Sequence, residues 1–352
     1  MNDHRFIELL EPRQVLSSAT ASVVNVGETA GSTPSAATLA VTQRQMYFNA
    51  VHGTSNTQVL RITNNGDRRL TFAPGSIGFR GEGRRAFGLV NFPAEGVSLA
   101  PGRRFNLEIR FTAPAQGQTI QLARLLINSN DPRRPTTSIP LRGLPTAGTK
   151  DNLEPSLQKV LNLFNLPINV GDSTPEEYQL GTPTADSDEV RVQSLVRASN
   201  SAPVSIRPLA MFGVSTGPAV RLGTYKPGSP DDGQELWYVP QDTAQSVNPT
   251  VFGQTLINPG DKPFALFTQW PGFFETNGTE RRVYSEDTLN NTWESNASKL
   301  RKMRFYPFVD SNGTAVANSY VVAVEEFTQN YDYQDLLFVI TNVRPADVKP
   351  TI

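Results

Sequence analysis

Residues 127–143 constrain the fold more than any other stretch of the chain, and their sequence is INSNDPRRPTTSIPLRG. They predict two short strands, at 125–128 and 137–141, that are joined by a tight turn. Pro132 sets φ for this turn, and the carboxylate of Asp131 can accept a hydrogen bond from the backbone two residues further on. An antiparallel unit of this kind closes a small β-sandwich, so we expect it to end a domain.

A strand with one solvated face is predicted before this unit, because apolar and polar residues alternate strictly from 104 to 111. Shorter apolar runs, separated by Asn-Gly and Pro-Gly turns, lie at 59–62, 70–72, 87–90 and 97–99. About seven short strands in ~100 residues favour an immunoglobulin-like (Ig-like) sandwich over 43–145. Between 120 and 127 the alternation changes phase, which predicts a bulge or a short turn at 123–124.

Three sequences in this region carry a family resemblance: LRITNNGDRRLTF, LAPGRRFNLEIRFTAPAQG and LLINSNDPRRPTTSIPLRG. They resemble the abnormal-spindle/hydin (ASH) class of Ig-like domains, which is named choice-of-anchor D in bacterial proteins. The resemblance covers 43–145 in order. It implies a recognition or spacer module without catalytic residues, and an exported protein if the source is bacterial.

The amino-terminal residues divide into two pieces. Within 1–18, the sequence LEPRQVLS at 10–17 resembles the Leu-Glu-Pro-Arg motif at the start of large bacterial exported proteins, although Val15 stands where that family usually has Leu. A short amphipathic helix is the alternative interpretation. Residues 19–42 are rich in Ala, Ser, Thr and Gly, which predicts a flexible linker.

Residues 150–352 are predicted to form a second, larger domain. Leu157, Val160, Leu161 and Phe164 have helical spacing and predict one helix over 153–164. Short strands and turn-rich loops follow, so the expected fold is all-β: an Ig-like β-sandwich and then a larger β-sandwich or jelly-roll-like domain with one short helix. Segments 153–172 and 319–343 resemble an uncharacterised carboxy-terminal region of bacterial exported proteins, which implies a location rather than a mechanism.

Charge is distributed unevenly along the chain. Residues 43–145 hold 14 Arg, no Lys and five acidic residues, a net charge of +9. Residues 151–352 hold 15 basic and 24 acidic residues, a net charge of −9. The two halves could face each other or meet different partners, and a set of solvated turns is the alternative. An exported Arg-rich domain suits an anionic surface polysaccharide better than nucleic acid, because no basic strip interleaved with aromatic residues is present.

The residue inventory disfavours catalysis. The sequence has no cysteine, which excludes disulfides and thiolate nucleophiles, and its two histidines are His4 and His52. A glycosidase pair at Glu325 and Glu326 is the catalytic alternative, but neighbouring strand residues point to opposite faces, which separates the two carboxylates. We therefore expect a protein that is not an enzyme.

No apolar run approaches the ~20 residues of a membrane helix, so no membrane span is expected.

Carboxylates at the last predicted hairpin suggest a metal site. If the strands at 319–325 and 336–343 pair antiparallel, the side chains of Glu325, Glu326, Asp332 and Asp335 lie at one end of the sheet. Ca²⁺ takes six to eight oxygen ligands and tolerates irregular loops, so it is the expected cofactor. The alternatives are a solvated acidic loop and salt bridges to Arg301, Lys302 and Arg304. Residues 310–313 could form a second ligand loop or a plain hairpin turn.

Aromatic residues near this hairpin suggest a ligand surface. Tyr331 and Tyr333 flank Asp332, while Trp270 and Phe274 belong to the sequence WPGFF. Exposed aromatic faces stack on sugar rings, although aromatic residues are more often in a core.

The sequence therefore predicts an extracellular or cell-surface structural or adhesion protein that calcium would stabilise. The alternative is a carbohydrate-binding module acting on extracellular polysaccharide. The expected partner is an extracellular glycan or a surface protein, not nucleic acid, and the oligomeric state is left open.

Overall fold

The computed structural model describes residues 35–149, 153–171, 186–213, 219–240, 243–270, 280–292, 294–296, 299–326 and 331–346. The chain forms two compact units. Unit 1 contains the described residues up to 114 together with 120–143, and unit 2 contains the other described residues. The Leu-Glu-Pro-Arg motif at 10–17 lies outside the described residues.

Unit 1 is built from short antiparallel strands. Its described strands are β1 (Leu39–Val41), β2 (Met46–Val51), β3 (Ser55–Asn64), β4 (Leu70–Phe72), β5 (Ile77–Arg80), β6 (Phe87–Leu89), β7 (Val97–Leu99), β8 (Arg104–Thr112), β9 (Gln121–Asn128) and β10 (Thr136–Thr146), the last of which runs on into unit 2. A 3-10 helix spans Glu82–Ala86. One sheet has the order β1-β3-β8-β6, a second has the order β2-β10-β9-β5, and β4 pairs with β7.

The two four-stranded sheets of unit 1 share one core. Phe48 of β2 and Phe87 of β6 meet edge to face, with ring centroids 5.6 Å apart. Other buried core residues include Leu60, Leu107, Phe111, Leu125 and Leu141, which come from both sheets. The alternating apolar residues of β8 therefore point into a β-sandwich, as the sequence predicts.

The β9–β10 hairpin follows the sequence prediction in its turn and departs from it in its register. Asp131 Oδ1 accepts the N–H of Arg133 at 2.9 Å, the local bond expected for this turn. Strand pairing then runs from Asn128 to Gln121 without a shift, so the predicted bulge or short turn at 123–124 is wrong. The phase change has a simpler cause: Leu122 points outward and is 48 % exposed.

Part of the predicted linker is a strand. Within 19–42, the described residues begin at 35, and β1 pairs with β3 from Leu39–Asn64 to Val41–Ile62. Ala37 and Leu39 are buried in the core of unit 1. The composition of the segment predicts flexibility, but the partners that hold β1 come from distant parts of the chain.

Unit 2 is a larger sandwich with one short α-helix among its described residues. The helix, α1, spans Leu157–Leu163, so it starts later than predicted and Pro155 precedes its N-cap, Ser156. The strands are β11 (Leu195–Arg197), β12 (Val204–Met211), β13 (Val220–Lys226), β14 (Ser229–Val239), β15 (Ser246–Val247), β16 (Phe252–Gly253), β17 (Leu256–Ile257), β18 (Ala265–Trp270), β19 (Arg281–Tyr284), β20 (Met303–Val309), β21 (Ala315–Val324), β22 (Leu336–Thr341) and β23 (Val343–Pro345). A second 3-10 helix spans Asp287–Thr292.

Two large sheets enclose the core of unit 2. One has the order β15-β12-β22-β21-β20, with β17 also paired to β12, and the other has the order β16-β14-β13-β18-β19. Trp237 of β14 meets Phe338 of β22 edge to face, with ring centroids 6.3 Å apart, so the core joins both sheets. The all-β prediction with one short helix is thus confirmed. None of the described helices has the length and apolar character that a membrane crossing requires.

Candidate metal centre

The last hairpin brings acidic residues to one end of a sheet. β21 and β22 pair antiparallel, and the final pair of their ladder is Val324 with Leu336. Glu325 directly follows β21, and Asp335 directly precedes β22. The loop between them turns back at Tyr333, whose φ of 56° lies in the left-handed region that bulky residues rarely adopt. This turn places Asp332 beside the two strand ends.

Three of the four predicted ligands form a compact group. Carboxylate oxygens of Glu325, Asp332 and Asp335 all lie within 4.8 Å of one another. Glu325 and Asp335 are buried, and Asp332 is partly buried. Glu326 is placed differently: it contributes its backbone N–H, which donates to Asp335 Oδ2 at 2.6 Å. We call Glu325, Asp332 and Asp335 the carboxylate cluster.

The surroundings of the carboxylate cluster disfavour its negative charge. Burial raises the pKa of the Asp335 carboxyl well above its usual range, and the nearby charges of Glu325 and Glu326 raise it further. Burial also raises the pKa of Asp332 well above its usual range, with added repulsion from Glu325 and Glu154. Protonation of Asp332 or Asp335 therefore relieves repulsion within the cluster.

Lys302 and Arg281 supply positive charge near the carboxylate cluster. Lys302 is fully buried, and its Nζ lies 3.6 Å from Glu294 Oε2 and 4.0 Å from the centre of the Tyr331 ring. Burial lowers the pKa of Lys302 to about 8, although Glu325 and Glu294 both favour its charged form. One ammonium group thus lies near two carboxylates, and the charge of Arg281, whose Nη1 donates to the Glu326 carbonyl at 3.2 Å, lies near this ammonium group.

Two arginines proposed as alternative partners pair elsewhere. Arg301 Nη1 lies 2.6 Å from Glu189 Oε1, and Arg304 Nε lies 3.7 Å from Glu189 Oε2. Arg301 Nε is also 3.8 Å from Asp287 Oδ2. These contacts form a second ionic group. It joins Arg301 and Arg304, at or just before the start of β20, to Glu189 and Asp287. Of the three basic residues proposed as partners, Lys302 is therefore the one that lies near the cluster.

Two side chains that the sequence analysis did not propose as ligands lie next to the carboxylate cluster. Gln334 is buried, and its Nε2 donates to Asp332 Oδ2 at 2.7 Å and to Glu154 Oε2 at 3.2 Å. Its Oε1 is buried and has no hydrogen-bond partner among the described residues. Glu154 lies 180 positions before Gln334, so local sequence gave no sign of it. Gln334 stands inside the acidic loop and could have been noticed as an oxygen donor.

The second predicted ligand loop is a turn. Asp310 Oδ1 accepts the N–H groups of Asn312 and Thr314, each at 2.9 Å. Gly313 adopts φ of 79° and donates its N–H to the Asp310 carbonyl. The Asp310 carboxylate therefore organises the β20–β21 hairpin, which agrees with the plain turn.

The aromatic residues proposed to stack on sugars are in the interior. Tyr331 and Tyr333 are fully buried, and Trp270 is 1 % exposed. The Arg304 guanidinium lies 3.8 Å from the centre of the Tyr333 ring, which fills the face that a sugar would need. Trp270 belongs to the core of unit 2. Phe274 lies outside the described residues.

No family model and no curated protein matches the chain. Solved structures with partial similarity include a protein of unknown function from Porphyromonas gingivalis W83, at 20 % identity over 33 % of this chain and 51 % of the other, with a TM-score of 0.25. The ASH/PapD-like domain 7 of human CEP192 matches at 15 % identity over 37 % of this chain and 99 % of that domain, with a TM-score of 0.24.

The secreted serine protease VesC from Vibrio cholerae matches at 14 % identity over 88 % of this chain and 50 % of the protease, with a TM-score of 0.26. The matches therefore span about half the length of the Porphyromonas and Vibrio proteins. At TM-scores this low, the similarities carry no argument about function.

Proposed function

We propose that the protein is a non-catalytic structural or adhesion module of the cell exterior, and that one calcium ion stabilises its second unit at the carboxylate cluster. The observation that carries this proposal is the convergence of Glu325, Asp332 and Asp335 in a largely buried position, where burial and repulsion between carboxylates raise the pKa values of Asp332 and Asp335. The exterior location is supported by the resemblance of residues 43–145 to exported Ig-like domains.

The donor set favours calcium among the common metal ions. The cluster offers carboxylate oxygens, and the buried Oε1 of Gln334 has no competing hydrogen bond among the described residues. Glu154 adds another carboxylate through its contact with Gln334. Such all-oxygen sets in irregular loops suit Ca²⁺, whereas Zn²⁺ and Cu²⁺ prefer nitrogen or sulfur ligands. Backbone carbonyls or waters would complete a coordination number of about six to eight.

A structural role agrees with the position of the centre. The cluster lies where the β21–β22 ladder ends, and Glu154 lies just before α1. A cation bound there would hold the segment of α1 and the last hairpin together. Extracellular calcium is high enough to fill sites with dissociation constants of ~10⁻⁴–10⁻³ M, which is the usual range for extracellular modules.

Thermal unfolding of the full chain in calcium and in chelator tests this function. A ligand present at ~100 times its dissociation constant adds about 2.7 kcal/mol, which moves the melting temperature of a unit this size by several degrees. We expect this shift in the wild type and in Asp231→Asn/Asp232→Asn, which removes two exposed carboxylates. The shift should vanish in Asp332→Asn/Asp335→Asn. An unchanged wild-type melting temperature would overturn the proposal.

A further inference from the structure

Arginines collect on the outer face of one sheet of unit 1. In the sheet β2-β10-β9-β5, Arg80 of β5 is directly opposite Arg124 of β9. Arg142 of β10 is opposite Leu122. It is therefore the diagonal neighbour of Arg124 on the same face of the sheet. Arg80 and Arg124 are exposed, and Arg124 Nη1 lies 3.4 Å from Ser138 Oγ. We call the outward positions of β5, β9 and β10 the arginine face.

Acidic residues are absent from the arginine face. The strands β5, β9 and β10 contain no Asp or Glu, and no described carboxylate lies within ion-pair distance of Arg80 or Arg124. Like charges placed directly opposite each other destabilise a sheet. A pair of arginines in this arrangement costs stability unless an anion lies between them.

The other sheet of unit 1 is arranged differently and serves as an internal comparison. On its outer face, Arg61 of β3 is opposite Asn106, and Arg110 of β8 is opposite Thr57. Glu108 shares this face and lies two positions from Arg110 and diagonal to Arg61. Arg61 and Arg110 are therefore apart from each other with Glu108 between them, while Arg104 is opposite Thr63 and diagonal to Arg61. The two faces carry similar numbers of arginines, but only the arginine face presents them as a facing pair.

We propose that the arginine face binds an anionic polysaccharide through its carboxylate or sulfate groups. Guanidinium groups bind such oxyanions through two parallel hydrogen bonds, and their charge is insensitive to pH. Exposed Leu122 and partly exposed Pro140 lie beside Arg124 and offer apolar surface to the C–H groups of a sugar ring. Nucleic acid is the less suitable partner, because the outward residues of β5, β9 and β10 include no aromatic side chain for base stacking.

This inference does not depend on the carboxylate cluster, because unit 1 alone carries it. The test uses the full chain and measures its binding to immobilised heparin and to polygalacturonate at near-physiological salt, with neutral dextran and a DNA duplex in parallel. The variant is Arg80→Ala/Arg124→Ala. The matched control, Arg61→Ala/Arg110→Ala, removes the same charge from the opposite sheet.

We expect Arg80→Ala/Arg124→Ala to weaken binding of at least one of the two polysaccharides by about tenfold or more, since each lost contact is a hydrogen bond to a charged group. The matched control should weaken it by less than about threefold, the effect of lower net charge alone. Equal losses in the two variants would overturn the proposal. So would an absence of binding to both polysaccharides, or tighter binding of the DNA duplex through the same arginines.

Discussion

The carboxylate of Asp131 accepts the backbone N–H of Leu39 at 2.8 Å, although the two residues are 92 positions apart. The same carboxylate accepts the N–H groups of Arg133 and Arg134 at 2.9 and 3.2 Å. One side chain therefore shapes the β9–β10 turn and also holds the first described strand of unit 1. This double role explains why β1 is ordered despite its linker-like composition.

Replacement of Asp131 tests this role. We expect Asp131→Asn to destabilise unit 1 by about 1–3 kcal/mol, because a buried acceptor of three N–H groups loses its charge. The readout is hydrogen exchange of the Leu39 amide, which should accelerate. Asp67→Asn is the control, since Asp67 Oδ1 also accepts a backbone N–H, that of Ala36 at 2.7 Å, but at an exposed site. An equal or larger effect in the control would contradict the assignment.

The pH dependence of unit 1 follows from the same contacts. Burial raises the pKa of Asp131, but the N–H groups of Leu39, Arg133 and Arg134 outweigh it, so the pKa lies below its ordinary value of 3.8. A lowered pKa in the folded state stabilises the fold above pH 3.8, and this stability is lost as the pH falls through the folded value. Protection of the Leu39 amide should therefore drop in acid below about pH 4, and less so in Asp131→Asn.

The carboxylate cluster predicts the opposite pH dependence. The pKa values of Asp332 and Asp335 are raised in the folded state from an ordinary value of 3.8. Their contribution to stability is therefore complete below pH 3.8 and is lost as the pH rises through the folded values. In chelator, the melting temperature of unit 2 should fall as the pH rises above about 4. Calcium should remove most of this decline, and a decline unaffected by calcium would contradict the site.

Neutralising one carboxylate of the cluster should change the stability of unit 2 in opposite directions in chelator and in calcium. In chelator near neutral pH, Asp335→Asn should stabilise unit 2 by about 1 kcal/mol or more, because it removes a buried repulsion while its amide oxygen still accepts the Glu326 N–H. With calcium, the same variant should be less stable than the wild type. Urea unfolding followed by the fluorescence of buried Trp237 and Trp270 measures both. Destabilisation in chelator would show that the negative charge is already compensated.

Lys302 provides an independent test of the buried charges. Lys302→Met should destabilise unit 2 by about 1–3 kcal/mol, because it removes the buried ammonium group beside Glu294 and leaves that carboxylate with the charge of Lys299. The double variant Glu294→Gln/Lys302→Met should recover much of that loss, since the charge of Glu294 is removed as well. Urea unfolding of both variants gives the comparison. A double variant no more stable than Lys302→Met would contradict the pairing.

Local patterns predicted the parts of the structure that local interactions determine. Strand periodicity and short connections determine three such features: the alternation in β8, the turn at Asp131 and the pairing of β21 with β22. Leu122 shows the limit of such reasoning. It is an exposed leucine on β9, and in the sequence it cannot be distinguished from a change in the phase of the apolar–polar alternation.

Contacts between distant segments explain what the sequence did not reveal. Tyr331 and Tyr333 resemble exposed ligand-binding residues in sequence, but Lys302 and Arg304, about 30 positions away, cover their rings. Glu154 contacts Gln334, beside the cluster, although it lies 180 positions earlier in unit 2. No pattern in a single sequence identifies which distant cation or carboxylate a residue will meet.

Terbium binding tests the central claim most directly, because Tb³⁺ replaces Ca²⁺ in oxygen sites and is excited by nearby aromatic rings. The N–H of Tyr333 lies 3.4 Å from Glu325 Oε2, and Trp270 and Asp335 both flank Gly213. We predict sensitised emission with one Tb³⁺ per chain, displaced by calcium and retained in Asp231→Asn/Asp232→Asn. It should be lost in Asp332→Asn/Asp335→Asn. Absent emission, or equal emission in the two double variants, would contradict a cation site at the end of the β21–β22 hairpin.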